Sequence, residues 1–181
     1  MIDKSNIKRL FEELDRALKS KGQSREFTIF GSGALLIQGI ASESRATVDV
    51  DMVDQQIDIE LQVICSDVGE KFDLNMTWLN SAGYIYSLNF PAGWKGRTTL
   101  VYSGDALKVK SLSRKDLIAT KLYAACSRQL ETDMMDLRDL KPKQAELDFA
   151  REWILARPDA KGMEKRLRDI LDTFSRGMGI V

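Results

Sequence analysis

The chain has 181 residues, of which 44% are hydrophobic and 30% are charged, the composition of a soluble globular protein. This balance excludes disordered and fibrous classes. The 27 basic residues are matched by 27 acidic ones, so no excess of cations indicates a protein that coats nucleic acid. Histidine is absent from the sequence, which excludes Ser–His and Cys–His catalysis and histidine-ligated metal sites.

The apolar stretches do not predict export or membrane insertion. The amino-terminal segment is charged and has helical periodicity, unlike a signal peptide. Residues 27–42 form a long apolar run without charges, which glycines interrupt and which is too short to span a bilayer well. Cys65 and Cys126 lie in apolar stretches, which favours buried free thiols over a disulfide. We therefore predict a cytoplasmic protein that makes no membrane contact.

Apolar spacing predicts a mixed α/β region over residues 1–112. Apolar residues recur at helical spacing from Ile7 to Leu18 and predict an amphipathic helix with Ser5 as its N-cap. The further elements follow in chain order: a strand over 27–30, a helix over 33–40, a strand over 47–53, a helix over 57–68 and a hairpin of strands over 98–102 and 107–112.

Residues 72–86 fit two patterns, because 73–76 reads as a strand and 78–86 as a helix. After Ser113 the spacing is helical throughout. The helices predicted there cover residues 114–128, 133–140, 143–156 and 160–175. We therefore predict an α/β (α+β) fold: a small mixed sheet flanked by helices over 1–112, and a helical region over 113–181 that packs on this core.

Two carboxylates and a glycine turn suggest a site. Asp49 and Asp51 lie two residues apart on a predicted strand, so their side chains project from one face. Such a pair alone is more often a solvated strand face, but it also suits Mg²⁺, which prefers one or two carboxylates plus substrate phosphates. Upstream, Gly31 and Ser32 stand where a predicted strand turns into a helix, and there glycine lets the backbone approach a phosphate. Together these features favour a site for a nucleoside triphosphate and its metal ion.

Two cations on a later predicted helix have two interpretations. Lys121 and Arg128 share one helix face, where they could lie over polyphosphate charge. Alternatively they pair with Asp133 and Asp136 and lock two helices together. Both interpretations can hold at once.

The order of these motifs resembles the nucleotidyltransferase superfamily, which has the DNA polymerase beta-like fold. Residues 30–35 and 45–51 are similar to an uncharacterised bacterial branch related to abortive-infection (AbiE-type) toxins. That branch also carries a Lys-Leu-x-Ala helix, an arginine and an Asp-x-x-Asp-Leu turn, which here are residues 121–124, Arg128 and 133–137. Residues 78–80 are similar to a segment common in the branch, and the whole resemblance covers roughly residues 27–156.

The resemblance implies an enzyme that uses Mg²⁺ or Mn²⁺, held by Asp49 and Asp51, to transfer a nucleotidyl group from a nucleoside triphosphate. It implies a tRNA or protein acceptor, and a toxin or phage-defence setting with a cognate antitoxin. The superfamily's third carboxylate has no clear match here; Asp73 is the best candidate, with Asn75 beside it on the same face. The candidate site residues are Asp49, Asp51, Asp73 and Lys121 for catalysis, and Gly31, Ser32 and Arg128 for the nucleotide. A degenerate fold that binds a nucleotide or a partner without turnover is the alternative.

Overall fold

A five-stranded mixed sheet with flanking helices, followed by a helical region, confirms the predicted fold class. These elements are seen in a computed structural model, which describes residues 1–178 of the chain. The chain divides into a unit over Met1–Ser113 and a second unit that begins at Arg114. Across residues 1–178, every helix is too short or too polar to cross a bilayer.

The sheet of the first unit has the strand order β3-β2-β1-β5-β4. The elements of this unit are α1 (Ile7–Ser20), β1 (Arg25–Phe30), α2 (Gly31–Ile37), β2 (Val50–Met52), α3 (Ile59–Glu70), β3 (Leu79–Asn80), α4 (Gly83–Ser87), β4 (Thr99–Ser103) and β5 (Leu107–Ser111). Strand β1 runs parallel to β5 and antiparallel to β2, and β2 runs parallel to β3. Strands β4 and β5 form the predicted antiparallel hairpin.

Helix α1 forms as predicted because its apolar stripe faces the core. Leu10, Phe11 and Leu14 are fully buried, and the helix packs on α3. Its N-cap is Asn6 and not Ser5. The carboxylate of Asp3 accepts the N–H groups of both residues, at 2.8 Å from Ser5 and 3.2 Å from Asn6, and so satisfies two backbone donors just before the helix.

The strands around the candidate site are shorter than predicted. The strand expected over 47–53 is reduced to β2, and Thr47 instead makes an isolated bridge to Ile2. The strand predicted over 73–76 is wrong, because this segment closes the end of α3: the N–H of Leu74 donates to the carbonyl of Gly69 at 3.0 Å. The helix predicted over 78–86 is also wrong at its start, where residues 79–80 pair with β2.

The second unit consists of helices close to those predicted. They are α5 (Arg114–Ser127), α6 (Glu131–Leu140), α7 (Gln144–Leu155) and α8 (Glu164–Met178). Helix α5 contacts each of the other three. Leu117, Ile118 and Ala119 are consecutive and all fully buried, which is the pattern of a helix covered on more than one face.

Candidate active site

The two aspartates lie on β2 and directly before it. Asp51 is the middle residue of this strand and pairs with Phe30, the last residue of β1. Asp49 directly precedes the strand. Val50 and Met52 are fully buried, whereas both aspartates are partly exposed, so the predicted alternation is confirmed over residues 49–52. Val48, predicted on the buried face, is 61% exposed because the strand begins only at Val50. The carboxylates therefore occupy the face opposite to the core side chains.

The glycine turn lies against this carboxylate pair. Gly31 follows Phe30 directly and has a φ of 67°, a left-handed conformation that strains other residues. A Cβ atom built on Gly31 would lie 3.8 Å from the Oδ2 atom of Asp51. The structure thus brings the predicted phosphate-binding turn and a predicted metal ligand to the same place, although they are separated by 20 positions in the sequence.

Arg45 is a further candidate residue of the site, beyond those predicted from the sequence. Its Nη2 atom donates to the hydroxyl of Ser32 at 2.5 Å, and its Nη1 atom donates to the carbonyl of Ala46. The guanidinium is therefore held beside the glycine turn. A signal was present in the sequence, because Arg45 is the sole cation between Arg25 and Lys71 and stands four residues before Asp49.

Asn80 is the residue of the neighbouring strand that lies beside the aspartates. In the parallel pair of β2 and β3, Asn80 lies opposite Asp51. Its Nδ2 atom donates to Asp49 Oδ2 at 3.5 Å, and the hydroxyl of Thr47 donates to Asp49 Oδ1 at 3.4 Å. In the sequence, segment 78–80 shows only a similarity to the bacterial branch, and nothing there indicates a role for Asn80.

Asp73 does not join the pair. It is exposed, has a φ of 52° and lies in the turn after α3, so no strand presents it beside Asp51. Asn75, its expected neighbour on a strand face, instead holds this turn by accepting the N–H of Thr77 at 3.0 Å. Within residues 1–178, no three His, Cys, Asp or Glu side chains come together as a metal-binding group. The side chain that the neighbouring strand presents beside Asp51 is the amide of Asn80.

The residues present fit one hard divalent cation. Asp49 and Asp51 place two carboxylates on one face, where like charges repel and a cation relieves the repulsion. Mg²⁺ and Mn²⁺ prefer oxygen ligands, and phosphates complete a two-carboxylate set. Asp49 and Asp51 would hold the ion.

Lys121 and Arg128 both make ion pairs within the second unit. The Nζ atom of Lys121 lies 2.5 Å from Asp136 Oδ2 and 3.5 Å from Asp133 Oδ1. The Nη2 atom of Arg128 lies 2.8 Å from the same Asp133 oxygen. Both cations belong to α5 or its end and both aspartates to α6, so the helix-locking interpretation is confirmed. A role of either cation toward phosphate stays a prediction.

The two cysteines do not supply a nucleophile. Both thiols are free and buried, as predicted. Burial raises the pKa of Cys65 to about 12 and that of Cys126 to about 11, because the charged thiolate is poorly solvated there. Both stay protonated at neutral pH and are unreactive.

Residues 5–151 match the family described as "Nucleotidyltransferase of unknown function (DUF6036)". The chain belongs to this nucleotidyltransferase family. The match includes the glycine turn, both aspartates and Lys121, and it confirms the superfamily that the motif order resembles. Searches among curated proteins and among solved structures give no significant match. Membership of the AbiE-type branch stays a prediction.

Proposed function

We propose that this nucleotidyltransferase moves a nucleotidyl group from a nucleoside triphosphate to an acceptor hydroxyl, with Mg²⁺ or Mn²⁺ at Asp49 and Asp51. The observation that carries the proposal is the position of the Asp51 carboxylate over the backbone of Gly31. A triphosphate seated at this turn lies beside the metal-binding carboxylates. Catalysis of phosphoryl-type transfer depends mainly on such positioning and on electrostatic stabilisation.

Each residue of the site has its own role in the proposed reaction. Gly31 lets the backbone approach the phosphates, and Ser32 and Arg45 add a hydroxyl and a positive charge beside them. When bound, the cation neutralises charge on the phosphates. The acceptor oxygen bonds to the α-phosphorus, the bond from that phosphorus to the bridging oxygen breaks, and pyrophosphate leaves. The chain has no histidine, so the proton of the acceptor hydroxyl passes to a carboxylate or to water.

The resemblance to AbiE-type toxins extends the proposal to the acceptor and the setting. It supports tRNA or protein as acceptor, and a toxin or phage-defence role with a cognate antitoxin as binding partner. This extension rests on the motif similarity of residues 30–35, 45–51 and 121–137.

The proposal is tested with nucleoside triphosphates labelled at the α-phosphorus. Each of the four nucleotides is incubated with the protein, Mg²⁺ or Mn²⁺, and either total RNA or total protein as acceptor. We expect transfer of label from at least one nucleotide, dependent on the cation. Asp51→Asn should lower the rate roughly 100-fold or more. The substitution removes a ligand of the divalent cation, whose charge stabilises the transferring group. Asp67→Asn, which changes an exposed acid on α3, should leave the rate unchanged.

The amide at position 80 favours a second candidate function. With Asn80 in place of a third carboxylate, the site would bind a nucleotide with its cation and not turn it over. Equilibrium binding of a fluorescent nucleoside triphosphate distinguishes the two. Binding that needs both the cation and Asp51, without transfer of label to either acceptor, would favour the binding module. Transfer that does not depend on the cation or on Asp51 would contradict both.

A further inference from the structure

We propose that Asn80 is a positioning residue that orients Asp49 and limits the carboxylate pair to one tightly bound divalent cation. This inference rests on the proposed function, because it assumes that Asp49 and Asp51 bind the cation. It concerns how many cations the site takes and which side chain sets that number.

The strand pairing places Asn80 in line with the two aspartates. Strands β2 and β3 are parallel neighbours, with Val50 opposite Leu79 and Asp51 opposite Asn80. Directly opposed residues of neighbouring strands present their side chains on the same face of a sheet. Val50 and Leu79 are both fully buried, which puts the other face, with Asp51 and Asn80, toward the site.

Two hydrogen bonds fix the orientation of the Asn80 amide. Its Oδ1 atom accepts the backbone N–H of Ala82 at 2.8 Å. Since a backbone N–H only donates, this bond assigns the oxygen to the Ala82 side and the NH₂ group to the side of Asp49, whose Oδ2 atom lies 3.5 Å away. Asn80 therefore turns a donor, and not an oxygen ligand, toward the pair.

A donor at this place has two consequences for cation binding. It donates a hydrogen bond to one oxygen of Asp49. Hydrogen bonds of this kind orient a metal ligand and raise the affinity of a site for its metal ion. It also leaves the face with two negative charges, enough to balance a single divalent cation. A carboxylate at the same place would add a third negative charge and oxygen ligands for a second ion.

The test is a titration of the full chain with Mn²⁺ alone, with free Mn²⁺ followed by electron paramagnetic resonance. We expect one tightly bound Mn²⁺ per wild-type chain. Asn80→Ala should weaken binding roughly 10- to 100-fold without removing a ligand. Asn80→Asp should raise the number of tightly bound ions from one to two. The unfolding midpoint of each variant without metal is measured alongside, because a merely structural role would lower this midpoint and leave the number of ions at one.

Asn75→Asp is the matched control. It adds the same charge to an exposed turn, where a carboxylate can still accept the N–H of Thr77, and it should leave both the number and the affinity of bound ions unchanged. Two tight ions in the wild type, or an Asn80→Ala variant that binds Mn²⁺ as well as the wild type, would overturn the role of Asn80 while leaving the proposed function standing. A wild type that binds no Mn²⁺, or binds it equally well after Asp51→Asn, would overturn both.

Discussion

At the scale of single residues, Lys121 and Arg128 contribute unequally to the second unit. The side chain of Lys121 is 7% exposed and its partner Asp136 is fully buried, whereas the side chain of Arg128 is 58% exposed. Removing one member of a buried pair leaves a charge in a poorly solvated place. Only Arg128 is exposed in the second pair, and its buried partner Asp133 still has the Lys121 ammonium 3.5 Å away when Arg128 is removed. Two ion pairs of similar length therefore contribute differently to the free energy of unfolding.

Lys121→Met should destabilise the protein by about 3–5 kcal/mol, because the buried carboxylate of Asp136 loses its ammonium partner. Arg128→Met, the matched control, should cost less, about 1 kcal/mol, because the Arg128 side chain is exposed and Asp133 keeps the ammonium of Lys121 beside it. Denaturant unfolding measures both, and nucleotide affinity is measured on the same samples. A Lys121→Met variant with wild-type stability and weakened nucleotide binding would assign the ammonium to the phosphates instead of the helix lock.

The residues of the site were predictable only where the signal is local. Asp49 and Asp51 follow from strand alternation, and Gly31 from a strand-to-helix turn, each within a few residues. Asn80 could not be found in this way, because its place depends on which segment pairs with β2, about 30 residues away. Asp73 is a carboxylate of the expected type, but its segment forms the turn that ends α3 and not a strand.

At the scale of elements, a carboxylate of α1 holds the β4–β5 hairpin. Asp15 is 9% exposed, and its Oδ1 atom accepts the N–H groups of Ala106 and Leu107, both at 2.7 Å. Its Oδ2 atom accepts the N–H of Asp105 at 3.2 Å. A Cβ atom on Gly104 would overlap this carboxylate, so the turn sequence is fitted to the aspartate. The hairpin was predictable from its turn residues, but its attachment to α1 was not, since about 90 residues separate the partners.

Two substitutions at Asp15 should distinguish the contributions that its two carboxylate oxygens make to stability. Asp15→Ala leaves three N–H groups of the turn without their acceptor and should lower the free energy of unfolding by about 3 kcal/mol. Asp15→Asn keeps the oxygen that accepts two of the three and should cost about 1 kcal/mol. Denaturant unfolding of the two variants provides the comparison. Equal losses in both would mean that the charge of Asp15, and not its acceptor geometry, stabilises the turn.

Helices with several turns of apolar periodicity are predictable from the sequence. Short strands are not, because pairing with a neighbouring strand determines where they form. Helices α1, α5 and α7 extend over several turns, so their apolar stripes are visible in the sequence alone. Strand β3 has two residues, too few to show alternation, and it is a strand only because β2 lies beside it. The helix predicted over 78–86 rests on the apolar residues Trp78 and Leu79. Both are fully buried, but Trp78 packs against α1 and α3, and Leu79 pairs with β2.

At the scale of the whole molecule, cation binding is linked to folding. The carboxylate pair forms only when β2 lies beside β1, so a cation that binds the pair favours the folded state. At a cation concentration about 100 times the dissociation constant this linkage is worth about 2.7 kcal/mol. For a chain of this size each kcal/mol shifts the unfolding midpoint by roughly 2–4 °C.

Mg²⁺ or Mn²⁺ should therefore raise the thermal midpoint of the first unit by roughly 5–10 °C at that concentration, and the shift should follow occupancy. Asp51→Asn should abolish the shift. In the absence of metal this variant should fold at least as stably as the wild type, because removing one of two neighbouring like charges relieves their repulsion. Asp67→Asn, on the exposed face of α3, should keep the wild-type shift. Thermal unfolding by circular dichroism across a series of cation concentrations gives the measurement, and an unchanged response of the Asp51→Asn variant would place the bound cation elsewhere.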